Sequence, residues 1–244
     1  MKIVVWFSCG AASAVAAKLT IDKYGHENVS IVNNPIKEEH EDNYRFLKDC
    51  EKLFQHEIEF ALNPNYMNAS CYEVWEKGFM SGPTGASCTL QLKKKARQYW
   101  ESQNKFDYIV LGFTVEEKKR HDKFVLTERD NVLPVLIDAN ISKQDCYDML
   151  KFWGIEPPFI YKLGYPNANC IGCVKATSPT YWNHVRKTFP EVYEERAEQS
   201  KRIGCKLARY KGERVFLSDL PPDAKGKALK GLDFECGIFC EEKL

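Results

Sequence analysis

The sequence predicts an α/β protein: a doubly wound, mostly parallel five-stranded sheet, followed by a smaller cysteine-containing part of helices and loops. Three observations predict it. The chain opens with an apolar, β-branched run of strand length, Ile3-Val4-Val5-Trp6-Phe7, then a turn, Ser8-Cys9-Gly10, then small helix-favouring residues from Ala11 to Lys18. Strand-like and helix-like segments then alternate as far as residue 137, the pattern of repeated βαβ units. The length, 244 residues, suits one large domain or an α/β domain with a modest appendage.

The elements follow in order. A helix over Ala12–Tyr24, closed by Gly25, leads to a second strand at residues 29–34. Tyr44, Leu47, Cys50 and Phe54, with charges between them, predict an amphipathic helix over Glu38–Phe54, and residues 57–62 alternate like a strand. Residues 63–85, punctuated by Pro64, Gly78, Gly82, Pro83 and Gly85, read as a long excursion with a short helix near Tyr72–Lys77. A helix is expected from Cys88 to about Gln103, a buried strand at residues 107–112, a last strand over Val132–Ile137 and a helix from Ser142 to about Trp153. Beyond Gly154 the texture changes, which places a boundary there between residues 1–154 and residues 155–244. The latter hold two helices near Ser178 and Pro190 and a loop-rich tail expected to pack back on the sheet.

Composition excludes some functions. Lys plus Arg number 35 against 34 Asp plus Glu, so a net charge of +1 gives no overall attraction to nucleic acid or anionic membrane, and a basic surface must be local. The densest such run is Lys93, Lys94, Lys95 and Arg97. With no apolar stretch of bilayer-spanning length and no leader pattern, the expectation is a cytoplasmic protein without a membrane partner. Ten cysteines in a reducing compartment then point to metal binding or thiol chemistry.

The first turn is a candidate anion seat. A helix N-terminus offers N–H groups and a positive dipole end, and small residues at Gly10, Ala11 and Ala12 leave the backbone approachable. The strand ending at Gly112 delivers Lys119, Arg120 and His121 at its C-terminal end, where ligands sit in open α/β sheets. Among the thiols, Cys170-Ile171-Gly172-Cys173 is a C-x2-C half-site, and Cys236 and Cys240 form a C-x3-C pair. Three readings stay open: a zinc held by Cys170, Cys173, Cys236 and Cys240; an iron–sulfur cluster on Cys88, Cys170 and Cys173 with Cys236 or Cys240 as a mobile nucleophile; or a redox dithiol. Cys50, Cys71 and Cys146 are expected to be ordinary small apolar residues.

These residues resemble a superfamily of adenine-nucleotide enzymes, the phosphoadenosine-phosphosulfate (PAPS) reductases and the PP-loop ATP pyrophosphatases. Residues 8–15 resemble the S-x-G-A-x-x-A-V loop of the sulfonucleotide reductases. Gly112–Arg120 is similar to the strand end carrying Arg and acidic residues near the nucleotide, residues 134–173 resemble the late segment, and Glu235-Cys236-Gly237-Ile238 looks like the C-terminal E-C-G-L-H. Differences stand at Ala12, where the pyrophosphatases have Asp, at Ser87-Cys88, where cluster-bearing reductases have C-C, and at Phe239, where reductases have His.

The resemblance implies a Rossmann-like sheet of PP-loop type, with residues 1–154 binding the adenine nucleotide: ATP, or PAPS or its 3′-dephospho form APS. Ser8, Cys9, Gly10, Ala11 and Ser13 would meet phosphate, Asn33 and Asn34 the adenosine, and Gly112 the nucleotide. Lys119, Arg120 and His121 would neutralise the leaving oxyanion, with magnesium as a further expectation. Cys236 would be the thiolate that attacks sulfur, beside an iron–sulfur or zinc site drawn from Cys88, Cys170, Cys173 and Cys240.

Two enzyme readings follow from the resemblance. One is a reductase-like sulfur-transfer enzyme served by a thiol reductant such as thioredoxin. The other is an ATP pyrophosphatase that adenylates DNA or tRNA for sulfur insertion, supplied by a cysteine desulfurase, with Lys93–Arg97 and Lys201, Arg202, Lys206, Arg209 and Lys211 as nucleic-acid contacts. A zinc-stabilised binding module without catalysis is the third reading.

Overall fold

The structure, a computed structural model, describes residues 1–82 and 85–232. Along the chain these form β1 (Ile3–Trp6), α1 (Ala11–Tyr24), β2 (Val29–Asn33), α2 (Asp42–Phe54), β3 (Ile58–Phe60), α3 (Cys71–Glu76), β4 (Ser81–Gly82) and β5 (Gly85–Ala86). A π-helical turn over Thr89–Lys94 runs into α4 (Lys95–Gln103). There follow β6 (Tyr108–Val110), α5 (Lys118–Thr127), β7 (Val132–Leu133), α6 (Val135–Asp138), α7 (Lys143–Phe152), α8 (Pro179–Thr188), α9 (Pro190–Ile203), β8 (Ala208–Tyr210) and β9 (Glu213–Val215). Two compact units result among the described residues, residues 1–35, 41–61 and 97–159 in the first and residues 36–40, 62–82, 85–96 and 160–232 in the second.

The first unit is the expected Rossmann-like α/β body. Its five strands lie in the order β3-β2-β1-β6-β7, every neighbouring pair parallel. Ile3 aligns with Val29 on one side and Tyr108 on the other, so the strand order reverses at β1. The crevice at the carboxyl ends of β1 and β6 is therefore the topological switch point, where such sheets bind ligands. The small residues of α1 let it lie close on the sheet, with Ala14, Val15, Ala16 and Ala17 wholly buried. Phe7 packs between Phe46 and Phe54, at ring separations of 6.1 and 6.3 Å.

Two elements differ from expectation. The strand expected over Val132–Ile137 stops at Leu133, because Pro134 has no N–H to extend the ladder; its carbonyl instead accepts from Asp138 N at 2.8 Å and the chain turns into α6. The helix expected from Glu38 begins only at Asp42, since residues 36–40 belong to the second unit.

The second unit has its own core, centred on Trp75, Met80, Tyr181 and Trp182. One passage between units, at residue 159, lies near the boundary expected at 154, but residues 62–96 also join the second unit. The reason is that the apolar groups of that excursion, among them Val74, Trp75, Met80 and Leu92, are part of the second core. The expected C-terminal helices are α8 and α9, and β8 with β9 adds an antiparallel hairpin in the stretch expected to be loop-rich. Among the described residues no helix is long and apolar enough to cross a membrane.

Candidate functional site

The turn after β1 is held by its own hydroxyl. Ser13 is buried, and its Oγ accepts from the backbone N–H of Ser8 at 3.2 Å and of Gly10 at 3.3 Å while donating to the Gly10 carbonyl at 2.9 Å. Ser13 thus shapes the seat from behind, whereas Ser8 is exposed and half-buried Gly10 caps α1. The N–H groups of Ala11, Ala12 and Ser13 open α1 ahead of the first helical bond, Ala14 N to Gly10 O at 3.1 Å. Cys9 is buried and takes a left-handed backbone, φ 55, which costs a non-glycine residue about 1 kcal/mol. Asn33 secures it: the Asn33 amide donates to Phe7 O at 2.7 Å and lies 3.6 Å from the Cys9 sulfur.

Asn33 and Asn34 are accordingly buried supports. Asn34 Nδ2 donates to Ala61 O at 3.0 Å, while Asn34 Oδ1 has no partner among the described residues. Gly112 closes the seat from the side of β6. A Cβ there would stand 2.8 Å from Ser13 N and 3.0 Å from the Ala12 carbonyl carbon, so only glycine lets the strand end come this near. Phe113, next in sequence, carries the Arg120 guanidinium over its ring at 5.2 Å and meets the His121 ring edge-on at 5.8 Å. Arg120 is exposed and paired with Glu117 at 2.8 Å, and Lys119 is exposed. His121 is 9% exposed; its Nδ1 lies 3.2 Å from Asp122 Oδ1 and its Nε2 has no partner among the described residues.

The second unit gathers four thiols. Cys71, Cys88, Cys170 and Cys173, all buried, line one cavity of about 10 Å³ together with Trp75 and Lys175. Cys71 opens α3 behind its cap Ser70, Cys88 precedes the π-helical turn, and Cys170 and Cys173 flank Gly172, whose φ of +68° curls the C-x2-C segment. Glu38 ties two of these segments together. Its carboxylate accepts from Ser70 Oγ, Cys71 N and Tyr72 N at 2.7, 2.8 and 3.1 Å, and its carbonyl accepts from Ile171 N at 2.9 Å. The Cys173 amide donates to the Tyr181 hydroxyl at 2.8 Å.

The thiols act on one another. Cys71 bonds to Cys170 and Cys88, which with burial raises its own thiol well above the usual range. The same Cys71 thiol holds Cys88 below that range, opposed by burial and helped by the positive charge of Lys175. Cys88 is therefore the more acidic partner of this pair. Cys50 and Cys146, outside the cluster, are pushed up by burial, Cys146 to about 12.

Thiolates are the ligand type that thiophilic metals prefer. Four thiols line one cavity, and Cys71 interacts with Cys170 and Cys88. The cavity has room for one atom-sized occupant. As the side chains stand, no group of three or more His, Cys, Asp or Glu among the described residues is placed to hold a metal ion.

Of the expected ligands, Cys88, Cys170 and Cys173 are brought together, while Cys240 and the expected nucleophile Cys236 lie outside the described residues. Cys71, read from sequence as an ordinary apolar residue, is the fourth member; its one signal was its place at the start of a capped helix inside the long excursion. The basic run is corrected too: Lys93 is buried against Glu39 at 3.5 Å and Arg97 against Glu101 at 2.8 Å, so these two are structural cations. The chain matches no protein-family model and no curated protein.

Proposed function

We propose that the chain is an adenine-nucleotide-dependent sulfur-transfer enzyme of the PAPS-reductase and PP-loop kind, carrying a metal–thiolate centre on Cys71, Cys88, Cys170 and Cys173. The observation that carries this reading is the convergence of those four thiols from three distant stretches of sequence into one cavity. Beside it stand the resemblance of residues 8–15 to the reductase loop and the location of that loop at the switch point.

The N–H groups that open α1 receive the anionic tail of the adenosine compound, on a seat shaped by Ser13 and Gly112. Arg120 and Lys119 supply positive charge, and His121 Nε2 is a donor or acceptor with capacity to spare. The Cys236 thiolate attacks the substrate sulfur: an S–S bond forms, the S–O bond to phosphate breaks, and the adenosine phosphate leaves with the electron pair. A dithiol reductant such as thioredoxin then attacks the resulting S-sulfonate and releases sulfite. When bound, a thiophilic metal fixes the three thiol-bearing segments and keeps all four sulfurs deprotonated.

A second reading draws on one surface. Lys206, Arg209, Lys211 and Arg214 are exposed on and beside the β8–β9 hairpin, a local basic patch on a chain of near-zero net charge. It suits an enzyme that adenylates DNA or tRNA for thiolation, with a cysteine desulfurase as sulfur source.

Anaerobically purified protein is assayed for zinc, iron and sulfide, for sulfite release from PAPS or APS with thioredoxin, and for pyrophosphate release from ATP with DNA or tRNA. The first reading expects bound metal and sulfite. Pyrophosphate that depends on nucleic acid moves the assignment to the second reading, and a metal-free chain inert in both assays overturns both.

A further inference from the structure

The β8–β9 hairpin carries two local costs that its own fold does not require. Its register pairs Tyr210 with Glu213, so Lys211 and Gly212 form a two-residue turn, and both take positive φ, 49° and 87°. Such turns favour Asn, Asp or Gly at both positions, because other side chains crowd the backbone there. The same register sets Arg209 directly opposite Arg214, where like charges repel. Both arginines are exposed, and Arg214 Nη1 donates to Leu207 O at 2.9 Å.

The positive charge extends beyond the hairpin. Between residues 206 and 230 seven Lys or Arg stand against three Asp or Glu, on a chain whose net charge is +1. Lys206 precedes β8, and Lys225, Lys227 and Lys230 follow on a strap. Hairpin and strap are both bonded to residues 177–180: Arg209 N donates to Thr177 O at 2.8 Å, Ser178 Oγ to Lys227 O at 2.7 Å, and Gly226 N to Thr180 Oγ1 at 2.8 Å. All seven cations are exposed, and among the described residues none forms an ion pair with a carboxylate, Glu213, Asp219 and Asp223 included. In the first unit, by contrast, the exposed cations Lys118 and Arg120 each meet a carboxylate at 2.8 Å.

The chemistry of this surface selects its partner. Among the described residues from 160 onward no large apolar side chain is exposed. A protein interface is anchored by aromatic or aliphatic groups, and a helix lying on a bilayer by an apolar face. Phosphates along a nucleic acid are neutralised by Lys and Arg without such anchors. A two-stranded ribbon fits the major groove of B-form DNA, whereas the major groove of an RNA duplex is too deep and narrow for side chains to read.

We propose that the β8–β9 hairpin and the strap over residues 225–230 form a docking surface for duplex DNA, with Arg209, Lys211 and Arg214 on backbone phosphates at the major groove. This rests on the nucleic-acid reading above and deepens it, naming the docking element and choosing DNA over tRNA. A phosphate between Arg209 and Arg214 converts their repulsion into a clamp. The hairpin is therefore less stable by itself than a neutral version would be, and the duplex supplies the missing negative charge.

The test measures binding of full-length wild type, R209Q and K211N to a fluorescently labelled DNA duplex by anisotropy, between about 50 and about 200 mM salt. The same single strand, tRNA and phosphatidylserine vesicles serve as competitors, and thermal midpoints are read without DNA. Wild type is expected to prefer the duplex, its log affinity falling linearly with log salt. Each variant is expected to lose about tenfold in affinity at the low-salt end and to lower the salt slope by about 0.9. Their midpoints are expected to equal or exceed that of wild type, since R209Q removes a like-charge pair and K211N suits the turn. Wild-type affinity and slope in both variants overturn the hairpin as docking element and leave the nucleic-acid reading standing. Weaker binding with lowered midpoints in both variants marks a folding defect and overturns it as well. If R209Q does not fold, K211N decides by the same two readouts. A wild type that prefers tRNA, the single strand or the vesicles overturns the choice of duplex DNA. No binding to any nucleic acid at low salt ends the nucleic-acid reading, and this proposal with it.

Discussion

The Glu38 carboxylate accepts the amide N–H of Cys71 at 2.8 Å, while the carbonyl of the same residue accepts that of Ile171. One residue thus holds two thiol-bearing segments that are about a hundred positions apart in sequence. Glu38→Ala leaves the first amides of α3 without their acceptor. The expected cost is about 1–3 kcal/mol of stability, with a loss of bound metal. Chemical denaturation and metal analysis on the same preparation check this, and Glu38→Gln, which keeps one acceptor oxygen, is expected to recover part of both.

Cys71 itself separates the present assignment from the sequence expectation. Cys71→Ser is expected to abolish stable metal binding as completely as Cys88→Ser, Cys170→Ser or Cys173→Ser, whereas Cys50→Ser leaves metal content at the wild-type level. Equal metal in wild type and Cys71→Ser would return Cys71 to the ordinary core and pass the fourth position to another ligand.

Gly112 and Ser13 make a second pair of linked tests. Gly112→Ala puts a methyl carbon 2.8 Å from Ser13 N, so the strand end or the helix start must move. Overpacking of this kind costs about 1–3 kcal/mol. Nucleotide affinity, measured by calorimetry with ATP and PAPS, is expected to fall at least tenfold. Ser13→Ala is expected to lose about 1–3 kcal/mol through its unanswered loop amides, while Ser8→Ala, at an exposed position, stays within about 0.5 kcal/mol of wild type.

Cys146 predicts a pH dependence. Burial pushes its thiol up to about 12 from an ordinary 9.0, so the unfolded chain gives up this proton first as pH rises. Its contribution to stability is complete below about pH 9, is lost between about pH 9 and 12, and has a limiting slope of about 1.4 kcal/mol per pH unit. Cys50 adds a slope of the same sign. Urea midpoints at pH 8, 9 and 10 are expected to fall more gently in Cys146→Ala than in wild type, whatever the offset between them at pH 8.

Cys236 carries the chemistry in the proposed reaction. Cys236→Ser is expected to abolish sulfite release while leaving nucleotide affinity and metal content nearly intact. Turnover that survives the substitution assigns the attack to another group.

What the sequence could reveal depended on whether the signal was local. The strand, turn and helix of residues 3–24, the glycine stop at Gly25 and the C-x2-C turn are written in neighbouring residues and are found where expected. Pro134, with no N–H to extend a ladder, is a local signal too, and the strand ends before it. The failures are all at a distance. Glu38 fits the start of a helix by local pattern, yet it serves a partner more than thirty positions on. Ser13 matches a phosphate-loop serine, and only the fold reveals that its hydroxyl is spent on the loop's own amides. Cys71 has no cysteine near it in sequence, and the run Lys93, Lys94, Lys95 and Arg97 gives no local sign that Lys93 and Arg97 are buried.

The division of the chain sets conditions on how it can be made. The backbone passes from one unit to the other after residues 35, 40, 61, 96 and 159. On a ribosome the sheet therefore cannot be finished until β7 has emerged, and residues 62–96 must wait for the last third of the polypeptide before their apolar groups have somewhere to go. A truncation at residue 154 would leave that excursion stranded and prone to aggregate, and the C-terminal portion expressed alone would lack two of its four thiols.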